Sequence, residues 1–494
     1  MRRIVRFVRN LVLALLAVTV ALGAVVAFRT LTLTSRQLQV ASLPPAVIDT
    51  QAASERLGQA IQFQTVSNLL NPEQSADAFR GLHAHMQASF PAFHAASKRE
   101  TVGGYGLLYS WEGSDPAARP IALLAHQDVV PIAPGTEANW KVQPFSGVVR
   151  DGYIWGRGSW DDKGSLFAML EAAEMMARSG FRPKRTIYFA FGHDEEVGGQ
   201  RGARAIVALL KSRGVKLEFV LDEGLLILEG ALKGIDKPMA LIGVAEKGFV
   251  TLKLNVSATP GHSSLPPRET AIGMMSAALA QLENKRMPAE VRGVSLEMFD
   301  TLAPEMSGFN RVVLANLWLF KPLLQRQLEK TPTTEAAIRT TTALTIFNAG
   351  NQDNVLPGNA SATVNFRLLP GDTQASVIDH VRKAIGNDKV AIQPSPANSE
   401  ASPISATGSA GYRALNKTIR EVFPGVVVSP GLMVAATDSR HFAEIADSVF
   451  RFIPMQAKTE DLTRFHGTNE RISVENYADM IRFYRRFIET AATP

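Results

Sequence analysis

The chain contains no cysteine. Disulfides and thiolate ligands are thereby excluded, and any transition-metal site must be built from histidine and carboxylate. Acidic residues are absent before Asp49, where the only charges are Arg2, Arg3, Arg6, Arg9, Arg29 and Arg36. Those six account for the net charge of +6, because the other 46 of the 52 basic residues balance 46 acidic ones. The body is near neutral, so nucleic-acid binding has no electrostatic support. No internal repeat or long low-complexity tract interrupts the 494 residues, of which 46% are apolar and 20% charged. That composition is globular, and that length exceeds a single ordinary core.

The basic excess flanks an uncharged apolar run of 18 residues, Leu11–Phe28, about the length needed to span a bilayer as a helix. Four arginines precede the run and two follow, so the positive-inside rule places residue 1 in the cytoplasm and the body outside. A single-pass anchor is the expectation. The alternative is a cleaved signal peptide ending near Ala24 or Ala27, which would release a secreted protein.

Ser42-Leu43-Pro44-Pro45 marks a linker, and Ala52–Ile61 reads as the first helix of the body. Residues from about 100 to 240 alternate apolar strands with amphipathic helices, the pattern of an α/β domain with a mostly parallel sheet and helices on both faces. After Val244 the pattern changes. Gly248–Val256 alternates apolar with polar residues, as a strand with one solvated face does, and Ala343–Phe347 and Ala360–Leu368 are further strands. Helices about 270–284 and 376–385 complete a smaller α+β unit. The aromatic segment Phe309–Leu328 reads as core. The expected organisation is 1–45 anchor or signal and linker, 46–243 and 393–494 the two parts of the main domain, and 244–392 an inserted domain.

Three apolar runs end in acids or histidine: IALLAHQDVV (Ile121–Val130), IYFAFGHDEE (Ile187–Glu196) and LEFVLDEG (Leu217–Gly224). In open α/β sheets ligands bind beyond the carboxyl ends of the strands. Buried acids gathered at one edge repel one another and lose hydration, which a divalent metal offsets. Two further stretches complete the set: GRGSWDDKG (Gly156–Gly164), where Asp161 or Asp162 is also placed to cap the next helix, and RFHGTNE (Arg464–Glu470). His83, His85, His94 and His193 have no partner pattern and read as surface or packing residues.

These stretches, with ATPGHSS, NVLPGNASATVNFRLLPGDT, TDSRHF and HGTNERIS, resemble the di-zinc metallopeptidases that include carboxypeptidase S, aminoacylase and glutamate carboxypeptidase. RTTTALTIFNAG and WLFKPLL look like the subgroup of carboxypeptidase S and the N-fatty-acyl-amino-acid synthase/hydrolase. The resemblance implies that the inserted unit is a ferredoxin-like lid and dimerisation domain. It implies two zinc ions, with cobalt or manganese as alternatives, on His126, Asp161, Glu196, Asp222 and His466, with Asp161 bridging and Glu223 the alternative to Asp222. Glu195 would be the general base and Asp128 would orient His126. His262 would stabilise an oxyanion, across a dimer in dimeric relatives. Asn354, Arg367 and Arg440 would hold the substrate's carboxylate. The implied activity is hydrolysis of an amide next to a free carboxylate, in short peptides or N-acyl amino acids, fatty-acyl ones included. A non-catalytic tethered binding protein, and a nuclease or phosphatase on a similar platform, are the readings it disfavours.

Overall fold

The computed structural model describes residues 2–230, 232 and 234–493. Six strands of the large sheet come first: β1 (Lys98–Val102), β2 (Gly106–Trp111), β3 (Ile121–His126), β4 (Ile187–Gly192), β5 (Leu217–Glu229) and β6 (Met239–Glu246). The chain then makes β7 (Gly248–Ser257), β8 (Thr341–Ala349), β9 (Asn359–Leu368) and β10 (Ala391–Pro394), and returns with β11 (Val427–Met433) and β12 (Ala446–Lys458). Eight of these form one sheet in the order β1-β2-β4-β3-β5-β12-β6-β11. Its middle, β4-β3-β5-β12, is parallel, as is the β6-β11 edge, while β1 and β2 add an antiparallel edge.

Alternate residues of these strands enter two different cores, as the period of two requires. Leu107, Leu123, Phe189, Phe191 and Leu221 meet α2 (Thr50–Gln62), α3 (Lys163–Arg178) and the C-terminal helix Val474–Ala491 on one face. Leu108, Ala122, Leu124, Ala190 and Val220 meet α4 (Ala203–Ser212) on the other. Both faces are covered, and that is why all six residues of β3 are buried and its sequence shows no polar alternation. The helices begin where a side chain caps them: Asp49 accepts from the Ala52 N–H at 3.1 Å, and Ser473 from the Asn476 N–H at 3.1 Å.

The second sheet is antiparallel, in the order β8-β9-β7-β10. Helices α5 (Ala271–Asn284) and α6 (Gln374–Ile385) cover one of its faces, against Val250, Leu252, Leu254 and Val256. This βαββαβ arrangement is ferredoxin-like. Thr270 and Thr373 cap the two helices.

The Phe309–Leu328 segment departs from its expected place in the core. It forms two helices, Gly308–Ala315 and Leu317–Leu328. The second buries only one stripe, Leu317, Leu324 and Leu328, against Phe299, Leu302 and Met306, and leaves Trp318, Leu319 and Leu323 in the open. Composition registered the apolar residues, but only the packing shows that they cover two opposite faces.

Two other features fix the framework. Arg451 on β12 is fully buried and pairs with Glu246 at the end of β6, Nε to Oε2 2.8 Å. Removing one partner of such a pair costs about 3–5 kcal/mol, because the other is left charged and dry. The linker after the N-terminal helix α1 (Arg2–Thr32) is strapped down. The Gln37 amide donates to the Val428 carbonyl (3.0 Å) and accepts from the Val428 N–H (2.8 Å), and Leu43 N–H donates to the Glu421 carbonyl.

Candidate metal centre

Because β3, β4 and β5 are parallel, their carboxyl ends reach the same edge, with His126 beside Gly192 and Leu123 beside Leu221. A second, local ladder brings the C-terminal stretch to that edge: Arg471–Ser473 pairs with Tyr153–Trp155. Glu470, just before it, is completely buried and accepts hydrogen bonds from the backbone N–H groups of Gly158, Trp160 and Asp161 (2.9, 2.9 and 3.2 Å). It also pairs with Arg157. The Gly156–Gly164 turn is thus wrapped around one carboxylate, and the result is that Asp161 faces the cluster. Nothing in the sequence marks Glu470 out, since a surface acid and a buried organiser look alike without the ladder.

Asp161 lies between two imidazoles. Its Oδ1 is 2.9 Å from His126 Nε2 and its Oδ2 is 2.7 Å from His466 Nε2. Glu196 Oε1 lies 3.4 Å from His466 Nε2, and Glu223 Oε1 lies 3.7 Å from His126 Nε2. Two groups able to hold a cation share His126, one with Asp161 and Glu196 and the other with Glu195 and Glu223. Asp128 accepts from the backbone N–H groups of Glu195 (3.2 Å) and Glu196 (3.1 Å), and its carboxylate stands 3.4 Å from His126 Nδ1. His126 Nδ1 also hydrogen-bonds the Asp128 backbone carbonyl at 3.0 Å, so one residue aligns the histidine and the acid pair together. Asp162 sits at the start of α3 without capping it; its carboxylate instead accepts from the His126 N–H at 3.3 Å.

Asp222 is placed differently from its expected position among the ligands. Its two oxygens are taken by backbone, the Glu223 N–H at 2.9 Å and the Ser439 N–H at 2.8 Å. Successive residues of a strand point to opposite sides, so when Asp222 turns to the 437–440 turn its neighbour Glu223 turns to His126. Asp438 in that turn is also buried, with neither carboxylate oxygen hydrogen-bonded. It fits because Gly192 and Gly199 lack side chains; a Cβ on either would collide with it.

The remaining expected residues lie apart from this cluster. His262 is exposed, its Nδ1 2.8 Å from Ser264 Oγ, on a two-residue ladder with Val355–Leu356. The neighbouring Asn354 accepts the Ser263 N–H through its carbonyl. Arg367 on β9 stacks over Phe249, 4.9 Å from the ring centroid. Burial lowers its pKa, and the nearby Arg440 guanidinium lowers it further. Arg440 donates to the Gly198 carbonyl at 3.1 Å, two residues beyond Glu196. His83, His85, His94 and His193 bond or pack within the fold, His83 to Gln127 and His193 edge-on to Phe79.

The electrostatics follow from this crowding. Burial, with Asp438 and Glu196 adding to it, holds the Glu195 carboxyl well above the usual carboxylate range. Burial and then Asp161 do the same to Glu223. Asp161 goes the opposite way: burial opposes its ionisation, but the hydrogen bonds to His126 and His466 outweigh it. Its partners rise in return, and His466 is pushed up to about 10 by Asp161 and Glu196. Among the described residues Glu195, Glu196 and Glu223 have no lysine or arginine partner, and the Glu196 Oε1 and Asp162 Oδ1 atoms are buried without a hydrogen bond. An all nitrogen-and-oxygen donor set with unneutralised buried carboxylates suits divalent cations.

One consequence is measurable on metal-free protein. A histidine raised in the folded state adds stability that is complete below its unfolded pKa of about 6.5. That stability is lost as pH climbs towards about 10. Thermal unfolding in chelator across this window should show His466→Gln lacking part of the decline seen in the parent. The difference between the two isolates the imidazole from groups such as Lys163, which burial holds at about 7. Equal slopes would remove the Asp161–His466 pairing.

Residues 122–490 match Peptidase family M20/M25/M40. The chain is 46% identical over 444 residues to the N-fatty-acyl-amino acid synthase/hydrolase PM20D1 of Xenopus tropicalis, covering 89% of this chain and 86% of that one. It is 41% identical over 492 residues to a probable carboxypeptidase S-like 2 of Dictyostelium discoideum, covering 98% and 93%. Its fold is similar to an M20 family metallo-carboxypeptidase of Sulfolobus solfataricus, with a TM-score of 0.62 at 17% identity, over 91% of this chain and 100% of that one. With a buried histidine–carboxylate centre at the edge of its large sheet and relatives along nearly its whole length, the chain belongs to Peptidase family M20/M25/M40 and is a hydrolase of that family.

Proposed function

We propose that the protein is an anchored amidohydrolase with two zinc ions, cleaving the amide bond next to a free carboxylate in N-acyl amino acids or short peptides. The observation that carries this is Asp161, one oxygen on each of two histidines, with Glu223 beside the first and Glu196 beside the second. His126 and Glu223 would hold one ion, His466 and Glu196 the other, and Asp161 would bridge; Glu223 replaces Asp222 in this assignment. Ions held there supply Lewis acidity, which polarises a carbonyl and makes water acidic enough to attack at neutral pH.

The protein's own groups do the rest. Glu195, fixed through its N–H by Asp128, takes the proton of the attacking water and passes it to the leaving nitrogen. Its raised pKa suits a group that must both accept and return a proton. Arg367 on β9 and Arg440 on the short helix Ser439–Phe442 would grip the substrate's carboxylate, a task suited to the planar guanidinium fork. Asn354 would help orient it. The second sheet would act as a lid, and the exposed His262 would serve the oxyanion of a second copy in a homodimer. The name of the Xenopus tropicalis relative favours long acyl groups among the substrates. The uncovered 31-residue apolar helix α1 favours a membrane anchor with the body on the extracytoplasmic side.

Three measurements test the roles. Glu195→Gln should lower kcat on an N-acyl amino acid about a hundredfold or more with metal content unchanged; substantial retained turnover would remove it as the base. Metal analysis should find Glu223→Gln depleted and Asp222→Asn still loaded, and the reverse would restore Asp222 as the ligand. Arg367→Ala should raise KM for substrates with a free carboxylate by roughly tenfold or more, as loss of a hydrogen bond to a charge worth about 1.5–3 kcal/mol would. Amidated analogues should be little affected, and an equal effect on both would count against the assignment.

A further inference from the structure

We propose that the outer face of the Gly308–Ala315 and Leu317–Leu328 helices is a second membrane contact, lying in the bilayer interface beside α1. The inference rests on the anchor reading above. On the second helix Trp318, Leu319, Pro322 and Leu323 follow the i, i+1, i+4, i+5 spacing of a single side, opposite the stripe that packs inward. Trp318 is 50% exposed and Leu323 48%, and Phe309 of the preceding helix is 65% exposed. Residues 306–328 contain no acid, and Arg326 follows the apolar side chains at the far end of the helix. An apolar face bordered by basic residues is the composition of a helix lying in a lipid interface.

What places lipid there, rather than another protein, is the attachment to α1. Asn316 Nδ2 donates to the Val26 carbonyl at 3.3 Å and to Thr30 Oγ1 at 3.1 Å, and Val26 belongs to the apolar run. Arg311 donates to the carbonyls of Thr30 (3.3 Å) and Leu33 (2.9 Å), which closes the end of the helix. The start of the Leu317–Leu328 helix therefore stands level with the last turn of the spanning segment. That is the depth at which tryptophan concentrates at membrane surfaces. The strap from Gln37 to Leu43 holds the linker after α1 against β11 and Glu421 of the body, so this face cannot swing away from the lipid that surrounds α1.

The chain carries its own probe. Of its five tryptophans, Trp111, Trp140, Trp155 and Trp160 are buried, and only Trp318 is open. The full chain would be reconstituted into phosphatidylcholine–phosphatidylglycerol vesicles with plain or brominated acyl chains, beside Trp318→Phe. Flotation with the vesicles reports the anchor. The emission difference between the two proteins is the Trp318 signal. We expect both to float, and the Trp318 signal to be lost on brominated lipid and protected from aqueous iodide. Leu323→Glu should float equally and regain iodide quenching. A chain that floats while Trp318 stays open to iodide overturns the docking but keeps the anchor. Protection from iodide without bromine quenching assigns the face to protein contact and also overturns it. A chain that fails to float overturns both.

Discussion

The structure depends on one electrostatic constraint, the gathering of ionisable carboxyls at a dry sheet edge. Asp128, Asp161, Asp162, Glu195, Glu196 and Glu223 gather at two imidazoles, with Asp222 and Asp438 buried behind them. Left alone, such a set would protonate or push the strands apart. The fold answers with oriented backbone donors. Asp128 takes two N–H groups from the Glu195–Glu196 turn, Asp222 takes two from beyond itself, and Glu470 takes three from the Asp161 turn. These dipoles are fixed by the covalent chain, so they stabilise negative charge without the reorganisation that water requires. Among the described residues Glu195, Glu196, Glu223 and Asp438 lack such donors, and the first three face the centre, where their charge is available for cations.

The same constraint explains the order of the chain. The centre draws on β3, β4, β5, the start of α3 and the 466–470 turn, elements separated by up to some 340 residues of sequence. Parallel pairing aligns the first three. The short antiparallel ladder of Tyr153–Trp155 with Arg471–Ser473 adds the last, and so sets Glu470 under Asp161 and His466 across it. The Arg451–Glu246 pair ties β12 to β6 behind Asp222, and Thr437 reaches the same glutamate at 3.3 Å. A buried pair of this kind is weak evidence for net stability. Here it holds the turn that carries Ser439, Asp438 and Arg440.

Much of this was legible in the sequence because the decisive strands are buried on both faces and end in unlike residues. Ile121–His126 and Ile187–Gly192 announce themselves as apolar runs that stop at a polar cluster. The alternation of Gly248–Ser257 was visible for the opposite reason, one face being solvated. What stayed hidden was direction. LDEG places two acids side by side, and composition does not say which one turns to His126; the Ser439 N–H does. Glu470 was hidden because its partners are backbone groups some 310 residues away. The Phe309–Leu328 helices misled because apolar residues on two opposite faces of a helix read as core unless the second face's surroundings are known.

On the function proposed above, selectivity comes from repulsion as much as from attraction. Arg367 lies on the small sheet and Arg440 on the turn after β11, and the two guanidiniums are close enough for one to lower the other's pKa. Burial and the Arg440 charge both disfavour the charged form of Arg367, against the opposing pull of Glu246, and a bound anion would relieve that repulsion. A substrate with a free carboxylate would therefore gain twice, by its own hydrogen bonds and by relieving that repulsion. A neutral substrate of the same shape would gain neither. Specificity for a carboxylate beside the scissile amide then follows from where the two arginines sit, while the acyl side of the substrate is left free to vary.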